Sequence, residues 1–425
     1  MMANLSTRRF RVFAMVAALA VASACSTDAG EPTEPSDTSL VLKWDDVEAS
    51  GTTGTSLAIQ VSTDGQADVP GGSIALIRDD GKARFLSIGQ HPNGRLAADG
   101  GVLCATTELA TYHLEPGGAT RWDRKPASSS AGAWAGVRAD GSCAMVLNVG
   151  SGPSGYEAHV FWEQSGERRH AIVPDVPTAA GQSADAIWVT NNASSSAASQ
   201  RSGKPGTVTL YKTDLKTAKV SVAMQWKLPV RTRPGKSAIT YDAGGSTDLF
   251  SHNGLLYQVE ELIPSVDGSY PPLTDEMPGM LRLTETDPVS KRQRSTILRS
   301  SPDMLVQRGD GAVSRPAVAT MHGYFRDGKI YVTDSRGSIL AVDVATKAMT
   351  EVGKLNVAAL RAEDAVAAFH GDRLELVYFT SGEAVSMNWD SYDLKSGDLL
   401  SAKKVDGFDG VLDSFSWPTS AAALN

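Results

Sequence analysis

Seven histidines and three cysteines are the side chains best suited to metal or covalent chemistry in this 425-residue chain. No two of the histidines stand at the spacing by which one element holds a metal. The motifs His-Glu-x-x-His, Gly-x-Ser-x-Gly and the EF-hand loop are absent, so the usual local signatures of zinc hydrolases, serine hydrolases and calcium sites are missing. Pro234-Gly235-Lys236-Ser237 ends like a phosphate loop, but Val230 stands where its first glycine belongs. Arg308-Gly309-Asp310 runs into an ordinary Asp-Gly turn. His252 and His370 adjoin turns, and His159 alternates within a strand. His322 opens an inner strand and is the histidine placed best for binding. The sequence therefore names no metal set and no cofactor.

A second group is suited to recognition. Leu228 to Asp248 carries Arg231, Arg233, Tyr241 and Asp242, and Glu261 to Gly279 carries Tyr270. Cations beside aromatic rings suit a polar ligand or a protein surface. Whether these residues converge depends on the elements that carry them.

Those elements repeat. Met321 to Leu355 reads as four short strands separated by Arg326-Asp327-Gly328, Ser335-Arg336-Gly337 and Ala345-Thr346-Lys347, a meander that cannot bury its two faces alone. Its second hairpin recurs at 73–89, 110–123, 156–173, 206–226, 279–298, 337–355 and 384–405. Asp99-Gly100, Asp140-Gly141, Asn253-Gly254, Asp327-Gly328 and Gly371-Asp372 mark the turns between first and second strands. The fold class expected is all-β, a seven-bladed β-propeller over 40–425. Thr38–Asp45 and Val411–Trp417 read as the strands that close the ring by sharing a blade. In such a ring, connections between second and third strands emerge on the same face as connections between blades. The long stretches of blades 4 and 5 should then form a lip beside the channel mouth, holding Arg231, Arg233, Tyr241, Asp242 and Tyr270 on one face, with His322 nearby.

The hairpins, Leu210–Val220, Leu340–Met349 and Ser391–Leu400 above all, resemble the repeats of bacterial quinoprotein-like and YVTN propellers. Only Trp226, and loosely Trp122, could serve as the docking tryptophan of the quinoprotein repeat, so the resemblance implies architecture and no cofactor.

The amino terminus reads as an address. Arg8, Arg9 and Arg11 precede an apolar run from Val12 to Ala24, too short to span a bilayer, which makes 1–24 a signal peptide. Val21-Ala22-Ser23-Ala24-Cys25 resembles the bacterial lipobox, with Ala22 where leucine is usual, and the resemblance implies lipidation of Cys25. Residues 25–39 hold Pro32, Pro35 and four acids without a base, the composition of a flexible tether with a reach of about 45 Å. Loss of the signal peptide removes three arginines and no acid, moving the formal charge from −8 to −11. Nucleic acid is a poor partner for so acidic a chain.

Cys104 and Cys143 lie five and three residues beyond Asp99 and Asp140. Both offsets are odd, so the two side chains should leave their second strands in the same rotational sense and remain unbonded. The expectation is a lipid-anchored, extracytoplasmic propeller at the cell membrane. It would serve as a binding or scaffold module for a protein or polar small molecule. The competing expectation is a propeller enzyme of hydrolase, lactonase or lyase type with its site at the channel mouth.

Overall fold

A computed structural model describes residues 41–62, 72–88, 94–107, 110–123, 131–152, 155–191, 207–227, 230–233, 236–266, 274–301, 323–334, 337–356, 365–380, 386–408 and 417–424. The expected signal peptide, Cys25 and the tether lie outside these residues, as do Tyr270 and His322.

Seven antiparallel sheets follow one another in a ring, a seven-bladed β-propeller. Every hairpin read from the sequence supplies the third and fourth strands of one blade. Asn253-Gly254 and Asp327-Gly328 have positive φ at both positions, the two-residue turn whose twist matches the flanking strands. Third strands are buried on both sides because a neighbouring blade covers each face; Gly72–Ile77 is buried throughout. Fourth strands form the rim and are largely exposed, as in Val220–Lys227. The core is accordingly a set of apolar slabs between blades. One slab joins Ile59 and Phe85 of blade 1 to Val377 and Trp389 of blade 7, and each such side chain adds about 1.5–3 kcal/mol when buried.

The two chain ends do share a blade. Trp417–Ala423 is the innermost strand of blade 1, antiparallel to Leu57–Ser62, with Leu57 opposite Ala423. This strand starts where the expected 411–417 strand would have ended. At the other edge Val41–Leu42 adds in parallel to Phe85 and Leu86. The expected strand over 38–45 gives way to a helix, Trp44–Ser50. Asp45 and Asp46 favour its first turn, and the Lys43 amide donates to Asp46 Oδ2 at 3.3 Å. Val47 is buried, and Trp44 lies 5.8 Å from the Tyr112 ring. Gly51 ends the helix at φ 52°, where a Cβ would stand 1.9 Å from the Glu115 carbonyl oxygen.

Cys104 and Cys143 form a disulfide, contrary to the parity argument, with their Cα atoms 5.6 Å apart. The two turns differ in length. In blade 2 Asp99 pairs directly with Val102 across a two-residue turn. In blade 3 Val137 pairs with Cys143 across a longer turn, so Asp140 lies inside the loop. The two Asp-Gly signals are not equivalent positions, and the cysteines face each other across the seam with Met145 and Val102.

Blade 5 departs from the common plan. Its first strand, Lys236–Ser246, and second, Leu255–Val266, run 11 and 12 residues, with Ile239 opposite Val266. A further strand, Val230–Arg233, pairs with the first through Arg231 opposite Ile239 and Arg233 opposite Lys236. Two stretches expected as loops, 228–248 and 261–279, are thus partly sheet.

Candidate functional site

Part of the stretch expected to form the lip is a hydrogen-bonded extension of blade 5. Arg231 and Arg233 lie on its edge strand, and Tyr241 and Asp242 lie on the next strand, opposite Pro264 and Ile263. Tyr241 is only 3% exposed and packs with Ile239 and Leu262, with Val266, Met277 and Met280 around them. Its ring therefore forms the local core of the extension. At the base of blade 5, Arg282 donates through Nε and Nη2 to Glu260 Oε2 at 3.0 and 2.8 Å, and Thr284 donates to the same oxygen at 2.5 Å. This buried pair ties the second strand to the third. Beside it, Glu261 is pushed up to about 7 by burial, with Asp334 adding repulsion. Arg299 Nη1 holds Asp334 Oδ2 at 2.6 Å across the blade 5–6 seam.

The first strands close the interior tightly. The Leu249 amide donates to the Ala180 carbonyl at 2.9 Å, and a Cβ on Gly181 would meet the Leu249 carbonyl oxygen at 1.8 Å. Arg95 of blade 2 and Asp248 of blade 5 attract each other, although their blades are not neighbours. Burial pushes the Asp248 carboxyl up to about 7, against the pull of Arg95.

A denser constellation lies between blades 2 and 3. Cys104 and His113 are cross-strand partners in blade 2, which puts both side chains on one face. In blade 3, Ala144 pairs with Trp162, so Cys143 and Glu163 stand one step further along, opposite each other. His113 Nδ1 lies 3.0 Å from Glu163 Oε2. That hydrogen bond raises the His113 pKa above the ordinary 6.5, with the charges of Glu163 and Glu115 assisting and burial opposing. Ligand atoms of His113, Cys143 and Glu163 all lie within 4.8 Å of one another. Glu163 is 9% exposed. Among the described residues, neither its Oε1 nor His113 Nε2 has a hydrogen-bond partner. A small cleft lined by Trp122, Met145, Phe161 and Arg168 reaches Cys143 and Glu163. The Arg168 guanidinium stacks 4.1 Å from the Phe161 ring centroid, and the Trp122 ring stacks against His113.

Sequence reading missed His113 and Glu163. Four residues on four strands show no local spacing. The usable signal is register for one pair: Cys104 and His113 lie equally far from the paired Thr106 and Thr111, whereas a bulge between Asn148 and Gly150 offsets Cys143 and Glu163 by one residue.

No family model and no curated protein matches the chain. Among solved structures, a hypothetical selenium-binding protein from Sulfolobus tokodaii is similar at 9% identity and a TM-score of 0.55, over 87% of this chain and 93% of that one. Apo AztD from Citrobacter koseri is similar at 11% identity and a TM-score of 0.38, over 87% of this chain and 98% of that one. At this identity the likeness to the Sulfolobus protein carries the fold alone, and that fold is the β-propeller.

Proposed function

We propose that the protein is a membrane-anchored, extracytoplasmic propeller lipoprotein acting as a binding or scaffold module, with the extension of blade 5 as its gripping surface. The observation that carries the binding role is the extension itself. Seven rigid blades need only short strands to close, yet blade 5 adds an edge strand and lengthens two others. Polar recognition placed on a rigid scaffold is a common use of such additions. Arg231 and Arg233 on the edge strand, with Asp242, and Tyr270 from the sequence reading, are the contact residues in this proposal. A bonded cysteine pair supports the location, since disulfides persist where the environment is oxidising. A basic, apolar leader ending at Cys25 supports lipid anchoring.

Partner capture after mild detergent release from native membranes tests the role. The Arg231→Glu/Arg233→Glu variant should lose the captured partner while remaining folded. Equal capture by wild type and variant removes this face as the binding surface. Mass spectrometry of the membrane fraction tests the anchor: a modified Cys25 at the amino terminus is expected, and a soluble chain with an unmodified end overturns it.

A further inference from the structure

We propose that the seam between blades 2 and 3 is a redox-gated metal site. With the disulfide reduced, Cys104 and Cys143 join His113 and Glu163 to bind one borderline divalent ion of the zinc class. The donor set is two thiolates, one imidazole and one carboxylate, which suits four-coordinate zinc rather than a hard ion. Three of the four donors already lie within 4.8 Å of one another, and the fourth is covalently joined to Cys143. The cross-strand pairs Cys104–His113 and Glu163 beside Ala144–Trp162 hold the donors on rigid sheet.

Two features set this apart from a structural ion pair. Glu163 Oε1 and His113 Nε2 are buried without partners among the described residues, an expense that a purely structural pair would avoid. Charge also balances in the metal-bound state. In the reduced form a divalent ion, two thiolates, Glu163 and a neutral His113 sum to one negative charge. The Arg168 guanidinium, attracted to Glu163 at the cleft, offsets it.

The gating step balances with a dithiol as reductant. Its two thiols give two electrons and two protons to the Cys104–Cys143 bond, yielding two cysteine thiols and the reductant's own disulfide. Metal binding then displaces both thiol protons, and the His113 proton where it is present. The reductant's own disulfide, or another of its class, reverses the sequence. It takes two electrons from the two cysteine thiolates and the Cys104–Cys143 bond re-forms, while the oxidant leaves as a dithiol after taking two protons from solvent and the ion is released. The cleft touches Cys143, but both cysteines are buried, so a small dithiol reaches the sulfur through a local opening of the seam.

Cobalt(II) is the probe, because thiolate ligation gives a sulfur-to-cobalt charge-transfer band and tetrahedral geometry gives strong visible bands. Full-length protein is titrated oxidised and after reduction. Reduced protein should show both bands and saturate at one equivalent, and oxidised protein should show neither. His113→Ala and Glu163→Gln should lose or weaken the bands in reduced protein. Should reduced wild type unfold, Cys104→Ser keeps the test alive: its free Cys143, with His113 and Glu163, should take cobalt without any reductant. The site is overturned if neither reduced wild type nor Cys104→Ser shows the charge-transfer band, or if His113→Ala leaves it unchanged. Equal binding by the oxidised protein overturns the gate.

Discussion

Between blades 2 and 3, four side chains from four strands meet at a seam closed by a disulfide and an ion pair. In blade 5, polar residues close in sequence lie on strands that extend the sheet, and a small satellite cluster packs there among the described residues. The seam draws its geometry from how two whole blades dock, so it is rigid only while the ring is closed. The extension draws its geometry from local hairpin pairing, and it can loosen without opening the ring. A protein that must position reactive groups uses the first arrangement, and one that must meet a partner of its own shape uses the second.

The largest effect that tests this contrast is loss of the disulfide. Cys104→Ser/Cys143→Ser should lower stability by about 4 kcal/mol, the loop-entropy value for a closed loop of this size. Chemical denaturation under non-reducing conditions measures it. A loss below about 1 kcal/mol would mean that packing alone holds the seam.

Next in size is Tyr241→Ala, which removes the largest side chain from the satellite cluster. A cost of about 3 kcal/mol is expected for a buried aromatic. It should fall on the extension, so amide exchange should accelerate at 239–243 and 262–266 while the global midpoint barely moves. A matching drop in the global midpoint would show that the extension and the ring fold as one unit.

The sequence made the ring legible because each third-to-fourth hairpin carries its own turn chemistry and alternation. Asp327-Gly328 announces its own backbone conformation, and nothing distant is needed to read it. The Cys104–Cys143 bond was misread because facing across a seam depends on two turn lengths, and a single residue reverses the answer. The helix at Trp44 was missed because its apolar residues, Trp44 and Val47, pack on the propeller rather than forming a long stripe. The blade 5 strands read as loops in the sequence because Arg231, Arg233, Pro234 and Gly235 mask the pairing of Ile239 and Tyr241 with 262–266. In each miss the deciding partner was remote in sequence.

A smaller effect concerns pH at the seam. The His113 pKa is raised in the folded state, so its contribution is fully present below the ordinary 6.5 and fades as pH rises through the raised value. Wild type should exceed His113→Gln in stability by on the order of 1 kcal/mol in acid solution, the scale of one partly screened pair. The gap should narrow toward alkaline pH. A gap that widens with rising pH would mean that a neutral His113, donating its Nδ1–H to the Glu163 carboxylate, rather than a cation carries the contact.

The smallest stability effect belongs to the edge of blade 5. Among the described residues, Val230–Arg233 is the terminal strand of its sheet, with one side unpaired. Charged residues on such an edge discourage pairing with other chains, and reversing their sign keeps that protection. Arg231→Glu/Arg233→Glu should therefore change unfolding free energy by no more than about 0.5 kcal/mol. Denaturation beside the disulfide variant gives the direct comparison: one pair of substitutions weakens the seam between blades 2 and 3, and the other leaves it intact while altering what the surface meets. A loss near the size of the Tyr241→Ala effect would place the two arginines in the packing of the extension, and loss of capture by that variant would then report unfolding instead of recognition.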